Sequence, residues 1–220
     1  MSRGLGDVYK RQLLSWAQQN GRRIQAFKVG PDYLDAQLLS QASGQACRNL
    51  DLNLCGKNWV RQAFHGYGGA SELTLVEGVM GLFDGIGSST TGSSADVARL
   101  LDLPVVLVLD AGGQAASLGA IVRGFRDHDP QLRIAGVVLN KVSTHRHREL
   151  LAEVLERMEV PLLGCLPRSE VLALPGRHLG LAPAHELEAP EQRRQAWAAL
   201  ASQHLNLERL VPLLQAPRPG

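Results

Sequence analysis

Short apolar runs rich in β-branched residues alternate with longer amphipathic segments along most of this chain. Buried parallel strands have this composition, and helices that connect them have this amphipathic pattern. The chain is therefore predicted to have an α/β fold, a mostly parallel sheet flanked by helices, with right-handed crossovers. The predicted strands are Ile24–Val29, Leu73–Glu77, Val105–Asp110, Ile134–Asn140 and Leu162–Leu166. The predicted helices are Leu13–Asn20, Leu34–Ala42, Asn58–His65, Ser94–Leu101, Ala115–Arg126, Arg146–Met158 and Glu191–Gln203.

The composition excludes several classes of protein. With 220 residues and 45% hydrophobic content, the chain can bury a large core. The formal net charge is only +2 and forms no basic block, which argues against nucleic-acid binding. No apolar run approaches the roughly 20 residues that span a bilayer, and three cysteines without a CxxC pair suggest neither a disulfide framework nor a zinc site. We expect a soluble, cytoplasmic protein.

Polar residues stand where four of the predicted strands end. Lys28 precedes the end of the first strand, Glu77 ends the second, Asp110 the third and Asn140 the fourth. Ligands of open parallel sheets bind at the carboxyl ends of the strands, so these side chains are predicted to share one site. Carboxylates beside lysine suit Mg²⁺ and phosphate chemistry.

A purely structural interpretation stays open for each of these residues taken alone. Strand-end Asp and Gly residues also cap helices and close turns. Asn140 could bind the edge of a purine base or simply form a turn. A Ser-His-Asp triad is disfavoured, because the sequence has no GxSxG elbow.

An intact phosphate-binding loop is missing. An ATP site of this type opens with GxxxxGK and then Ser or Thr, between a first strand and a first helix. Gly4 and Lys10 have the required separation, but Tyr9 replaces the second glycine and Arg11 replaces the hydroxyl residue that binds Mg²⁺. No apolar strand precedes Gly4. Residues 1–12 are therefore predicted to be an atypical N-terminal segment.

Three motifs resemble the cobyrinic acid a,c-diamide synthase family. They are residues 27–35 (FKVGPDYLD), 76–85 (VEGVMGLFDG) and 177–181 (RHLGL), with lesser support from residues 49–51 (NLD), Asp110 and Asn140. The resemblance implies a P-loop NTPase-like, dethiobiotin-synthetase-like amidoligase domain over residues 13–214, without an intact P-loop.

The resemblance also implies an activity. Family members are ligases that form carbon–nitrogen bonds: ATP activates the a and c carboxylates of a corrinoid as acyl phosphates, and glutamine-derived ammonia displaces the phosphate. ATP and Mg²⁺ are the implied cofactors. Residues 215–220 are expected to begin a linker to a glutaminase domain that this chain lacks, and we expect this incomplete copy to be inactive.

Residue roles follow from the matching motifs. The resemblance implies active-site acids at Asp32, Asp35, Glu77 and Asp84, with Glu77 and Asp32 as metal ligands. It implies a phosphate-side cation at Lys28, a base-reading amide at Asn140, and corrinoid contacts at Tyr33 and Leu34.

Two alternative functions stay open. One is an amidase of another tetrapyrrole, such as hydrogenobyrinic acid or nickel sirohydrochlorin. The other is a noncatalytic, partition-type ATPase-like module that forms a homodimer through the same face. Fold class alone does not separate these functions.

Overall fold

The strands confirm the predicted α/β class. A computed structural model describes residues 7–167, 176–177, 180–181 and 190–217. The strands are β1 (Ile24–Val29), β2 (Arg48–Leu50), β3 (Leu73–Glu77), β4 (Val105–Asp110), β5 (Ile134–Asn140), β6 (Leu162–Leu166), β7 (Gly176–Arg177) and β8 (Gly180–Leu181). The five predicted strands have the predicted bounds. Strand β2 was not predicted, because it has only three residues and two of them, Arg48 and Asn49, are polar.

All seven predicted helices are present. The helices are α1 (Asp7–Gln19), α2 (Tyr33–Ser43), α3 (Gly56–Gly68), α4 (Ser94–Leu100), α5 (Ser117–His128), α6 (His145–Glu156), α7 (Pro190–His204), α8 (Leu207–Leu210) and a 3-10 helix, Val211–Leu214. None of the described helices is both long and apolar enough to cross a membrane.

Helix α1 begins at Asp7 rather than at the predicted Leu13, so the boundary expected after residue 12 falls inside it. Residues 9–15 of this helix are all buried, including Lys10, Arg11 and Gln12. An amphipathic pattern needs a polar, exposed face, and this part of the helix has none. Periodicity alone therefore could not locate its start.

The strands form two parallel sheets instead of one. Their orders are β2-β1-β3 and β4-β5-β6, and among the described residues no strand pairing joins β3 to β4. Hydrophobic periodicity identifies strands but does not fix which strands are neighbours. The RHLGL motif forms part of a short antiparallel hairpin, in which Arg177 pairs with Gly180; His178 and Leu179 lie outside the described residues.

Helices cover both faces of the sheets. On one face, Leu13 and Leu14 of α1 pack in a single core with Leu75 of β3 and Val138 of β5, so α1 spans both sheets. On the other face, α3 and α4 cover the first sheet and α5 and α6 cover the second. This three-layer arrangement leaves the carboxyl ends of the strands as the site for ligands.

Leu139 lies at the centre of the second sheet and is completely buried. We expect Leu139→Ala to lower the free energy of unfolding by about 2–5 kcal/mol, because it leaves a cavity in a close-packed core. Urea denaturation measures this change. Leu54, which is 75% exposed, provides the matched control, and Leu54→Ala should be nearly neutral. Equal losses in the two variants would contradict the described core.

Candidate active site

A buried ammonium group lies at the carboxyl end of β1. The Nζ atom of Lys28 donates to Asp35 Oδ2 at 2.9 Å, to Glu77 Oε1 at 3.3 Å and to the carbonyl of Gly78 at 3.1 Å. Asp32 Oδ2 lies 3.9 Å from the same atom. Lys10 also donates to Glu77 Oε1. We call these five residues, Lys10, Lys28, Asp32, Asp35 and Glu77, the Lys28 cluster.

The fold explains why these groups meet. Strands β1 and β3 are parallel neighbours whose register pairs Lys28 with Glu77. Asp32 caps the start of α2, where its carboxylate accepts from the backbone N–H of Asp35 at 3.1 Å. This cap holds Asp35 in the first turn of α2, directly beside Lys28. The structure thus brings together Lys28 and Glu77, which lie at the ends of predicted strands, with Asp32 and Asp35, which the family resemblance implied.

The contribution of Lys10 was missed. Residues 1–12 are predicted to be an atypical segment, whereas Lys10 lies in the first turn of α1 and its ammonium contacts Glu77. Two features of the sequence pointed to it: only four lysines occur in the chain, and the Gly4–Lys10 separation matches a phosphate-binding loop. Lys10 therefore belongs to the site.

Asn49 positions the loop between β1 and α2. Its side-chain amide donates to the carbonyls of Gly30 and Asp32, at 2.7 and 3.1 Å. These two bonds fix the turn that carries Asp32 and Asp35 to Lys28. Asn49 is therefore a positioning residue, and this gives the first residue of the NLD motif a structural role.

Charge and burial set the ionisation of the Lys28 cluster. Burial alone would lower the pKa of the Lys28 ammonium, but the charges of Glu77 and Asp35 outweigh burial and raise it. Burial opposes ionisation of Asp35, yet the Lys28 ammonium lowers the pKa of that carboxyl below its ordinary value. Burial, together with the charge of Asp35, raises the pKa of Asp32. Asp35 is consequently the more strongly ionised of the two acids.

The cluster presents carboxylates, but its central cation is an ammonium group. Among the described residues, no group of three or more His, Cys, Asp or Glu side chains is arranged to hold a metal ion. The Glu77 carboxylate is 3% exposed and binds both lysines, whereas the Asp32 side chain is 33% exposed. A Mg²⁺ ion held by Glu77 would share this carboxylate with the ammonium groups of Lys10 and Lys28, which both donate to Oε1. The metal assignment to Glu77 and Asp32 remains a prediction.

The other predicted residues lie around this centre or in turns. Tyr33 and Leu34 begin α2, and the Tyr33 side chain is 73% exposed. Asp84 accepts from the backbone N–H of Gly81 at 2.8 Å and so closes its own turn. A structural role, the closing of a turn, therefore accounts for the observed contact of Asp84.

A second set of polar side chains lies at the carboxyl ends of β4 and β5, in the other sheet. Lys141 Nζ donates to Asp110 Oδ2 at 2.6 Å, and the backbone N–H of Lys141 donates to Asn140 Oδ1 at 2.9 Å. Lys141 has a positive φ of 59°, typical of a tight turn. The Asn140 oxygen thus has a local turn partner, and its role in reading a base remains a prediction.

Two of the cysteines, Cys47 and Cys165, have thiol pKa values above the ordinary value. Burial, reinforced by the charge of Glu77, raises the pKa of Cys47 to about 12. Burial also raises the pKa of Cys165. Both thiols are therefore protonated at neutral pH, which is the opposite of an activated nucleophile.

Comparisons with known proteins identify a family and a fold for this chain. The sequence model of the AAA domain family matches residues 60–175. Chloroplast FtsY from Physcomitrella patens superposes with a TM-score of 0.54 over 89% of this chain and 62% of that chain, at 15% identity. At this identity the likeness shows the fold alone.

Curated relatives are much more similar in sequence. The cobyrinate a,c-diamide synthase of Gloeobacter violaceus is 43% identical over 213 residues, which cover 94% of this chain and 47% of that protein. The hydrogenobyrinate a,c-diamide synthase of Streptomyces coelicolor is 46% identical over 176 residues, which cover 79% of this chain and 36% of that protein. The chain therefore spans about half or less of the length of these relatives.

Removal of the Lys28 ammonium tests the cluster. Lys28→Met leaves the half-buried Asp35 without its closest cation and the buried Glu77 with one lysine fewer, so we expect a loss of about 3 kcal/mol in the free energy of unfolding at pH 7. Urea denaturation measures the change. Lys57 is exposed on α3 and serves as the control, since Lys57→Met should change stability by less than about 0.5 kcal/mol. Similar values for both variants would contradict the cluster.

Acid should weaken the contribution of Asp35 to the free energy of unfolding. Its pKa is lower in the folded chain than in the unfolded chain, so its stabilisation is present above the ordinary pKa of about 4 and disappears as the pH falls through the lowered value. The stability difference between the parent and Asp35→Asn should therefore be larger at pH 6 than at pH 3. The control is Asp127→Asn, which breaks an exposed ion pair with Arg126 and should lower stability by less than about 1 kcal/mol at pH 6. A difference that grows towards pH 3 would contradict the ionised Lys28–Asp35 pair.

Proposed function

The chain belongs to the AAA domain family and is homologous to cobyrinate a,c-diamide synthases, and from this premise we propose that it forms the ATP-binding part of an enzyme that amidates the a and c carboxylates of a corrin. The observation that carries the proposal is the Lys28 cluster, in which two ammonium groups and three carboxylates meet at the carboxyl end of the first sheet. A site that must hold phosphates beside a carboxylate substrate needs this mixture of charges.

Amidation requires activation, because a carboxylate is a poor electrophile. A carboxylate oxygen of the corrin attacks the γ-phosphorus of ATP, ADP leaves, and an acyl phosphate forms. Ammonia then attacks the acyl carbon and phosphate leaves. Lys28 and Lys10 lie where their charges reduce the repulsion between the two anionic reactants. Mg²⁺, held by Glu77 and Asp32, would add to this charge neutralisation.

Ammonia is supplied by glutamine in this proposal, through a glutaminase domain beyond the matched region. Support comes from the family resemblance and from the length of the relatives, of which this chain covers about half. The glutamine-dependent reaction belongs to the whole enzyme.

The corrinoid substrate is proposed to lie against the apolar rim of the site. Tyr33 and Leu34 start α2 beside Asp35, and Met80, three residues after Glu77, is 81% exposed. These side chains offer contact area to a large, partly apolar ring. A metal-free corrin is a second candidate substrate, because the relative from Streptomyces coelicolor is a hydrogenobyrinate a,c-diamide synthase. Both relatives favour a corrin over nickel sirohydrochlorin and over a noncatalytic partition-type module.

We also propose that a chain with this sequence binds Mg-ATP weakly and is inactive. Tyr9 is buried in α1 next to Lys10, at a position where a phosphate-binding loop needs glycine. Arg11 offers no hydroxyl group to a Mg²⁺ ion. The Lys10 ammonium, meanwhile, is bound to Glu77.

A double substitution tests this proposal. Tyr9→Gly with Arg11→Thr restores GxxxxGKT spacing from Gly4, and we expect Mg-ATP to bind at least tenfold more tightly than to the parent chain. Isothermal titration calorimetry measures both affinities. The matched control is Tyr9→Gly with Arg11→Ala, which lacks the hydroxyl group and should gain less. Tight, saturable binding by the parent, or equal affinities in all three proteins, would overturn the proposal.

A further inference from the structure

A backbone carbonyl, that of Gly78, is among the groups that bind Lys28. It accepts from Lys28 Nζ at 3.1 Å, beside the carboxylates of Asp35 and Glu77. Strand β3 ends at Glu77, the residue that pairs with Lys28 in the register of β1 and β3. Gly78 therefore lies past the strand pairs of β3, and the direction of its carbonyl depends on contacts outside the sheet.

Ser94 holds the peptide group that contains this carbonyl. The N–H of Val79 donates to Ser94 Oγ at 2.9 Å, and the Ser94 hydroxyl donates to the carbonyl of Val79 at 3.2 Å. The carbonyl of Gly78 and the N–H of Val79 belong to one planar peptide group. A bond that fixes this N–H therefore also fixes the carbonyl that Lys28 contacts.

Helix α4 gives Ser94 a fixed position. Ser94 is the first residue of the helix, and three residues that follow, Ala95, Val97 and Ala98, are buried in two apolar clusters. The N–H of Ala95 also donates to the carbonyl of Leu82 at 2.9 Å, so a second bond joins the loop after β3 to α4. The Ser94 hydroxyl thus contacts this loop from a packed element of the fold.

The absence of a side chain at position 78 agrees with this contact. A Cβ atom on Gly78 would lie 2.7 Å from Ser94 Oγ and 3.2 Å from Ser94 Cβ. The φ of Gly78 lies outside the left-handed region, so backbone strain does not require glycine here. A larger residue would instead push the Ser94 hydroxyl away from Val79, because two atoms cannot occupy the same space in a close-packed structure.

We propose that Ser94 is a positioning residue for the Lys28 ammonium, acting through the Gly78–Val79 peptide group, and that glycine at position 78 leaves room for its hydroxyl. The inference rests on the proposed function, in which Lys28 supplies positive charge to the anionic reactants. It names the residue that sets the direction of that charge. An ammonium group that stays in one direction needs no reorganisation when anions bind.

Exchange of the Lys28 ammonium protons with water tests the proposal, by nuclear magnetic resonance on the full chain without nucleotide. In Ser94→Ala the Gly78 carbonyl loses its support, and we expect exchange to be at least about threefold faster than in the parent. Ser94→Thr keeps the hydroxyl group and should restore the parent rate. The matched control is Ser93→Ala, because Ser93 Oγ caps α4 by accepting from the N–H of Asp96 at 3.2 Å. This control weakens the same helix but should leave the Lys28 rate unchanged.

Gly78→Ala provides a second test. Its methyl group displaces the Ser94 hydroxyl, so exchange at Lys28 should accelerate as in Ser94→Ala. The double variant should exchange no faster than the faster single variant, because both substitutions break the same contact.

Four results would overturn the proposal. They are an unchanged rate in Ser94→Ala, an equal acceleration in Ser93→Ala, a rate in Ser94→Thr as fast as in Ser94→Ala, and accelerations by Ser94→Ala and Gly78→Ala that multiply in the double variant. Nucleotide enters none of these measurements. The proposed function is tested by Mg-ATP titration, so the two proposals can fail separately.

Discussion

The buried ammonium of Lys28 is the interaction on which the site depends. It links β1, β3 and α2 through Glu77, the Gly78 carbonyl and Asp35, and Lys10 extends the network to α1. A buried charge is costly unless it is paired and hydrogen-bonded, so each partner is held in place by the others. In the proposed function, phosphate and a carboxylate substrate would meet the same groups that stabilise this junction.

Helix α1 connects the site with the rest of the fold. Its first turns carry Lys10 to Glu77, and its apolar residues, Leu13 and Leu14, pack against strands of both sheets. Among the described residues no strand pairing joins the two sheets, and this helix packs against both of them. The geometry of the Lys28 cluster and the separation of the two sheets therefore both depend on α1.

Much of the fold was predictable because it depends on local patterns. Buried parallel strands are continuous apolar runs, and five of them have the predicted bounds. The strand-end pattern also predicted the meeting of Lys28 and Glu77, since parallel neighbours place their carboxyl ends together, whereas Asp110 and Asn140 end strands of the other sheet. The division into two sheets was not predictable, because strand neighbours depend on long-range packing.

The site was predicted less completely, for physical reasons that differ between residues. Lys10 was missed because its loop motif is altered and its helix has no exposed polar face. The role of Asn49 depends on two backbone carbonyls that only the folded chain brings near it. Asn140 fits the strand-end pattern and Asp84 is implied by the family resemblance, but the observed contacts of both close local turns.

The titration of Lys28 tests the central claim most directly. Nuclear magnetic resonance of its side-chain Cε carbon reports the pKa of the ammonium in the folded protein. The Lys28 cluster predicts a pKa above the ordinary value for lysine, and a fall in that pKa when Glu77→Gln removes the paired charge. A pKa at or below the ordinary value in the parent chain, with no response to Glu77→Gln, would contradict the account.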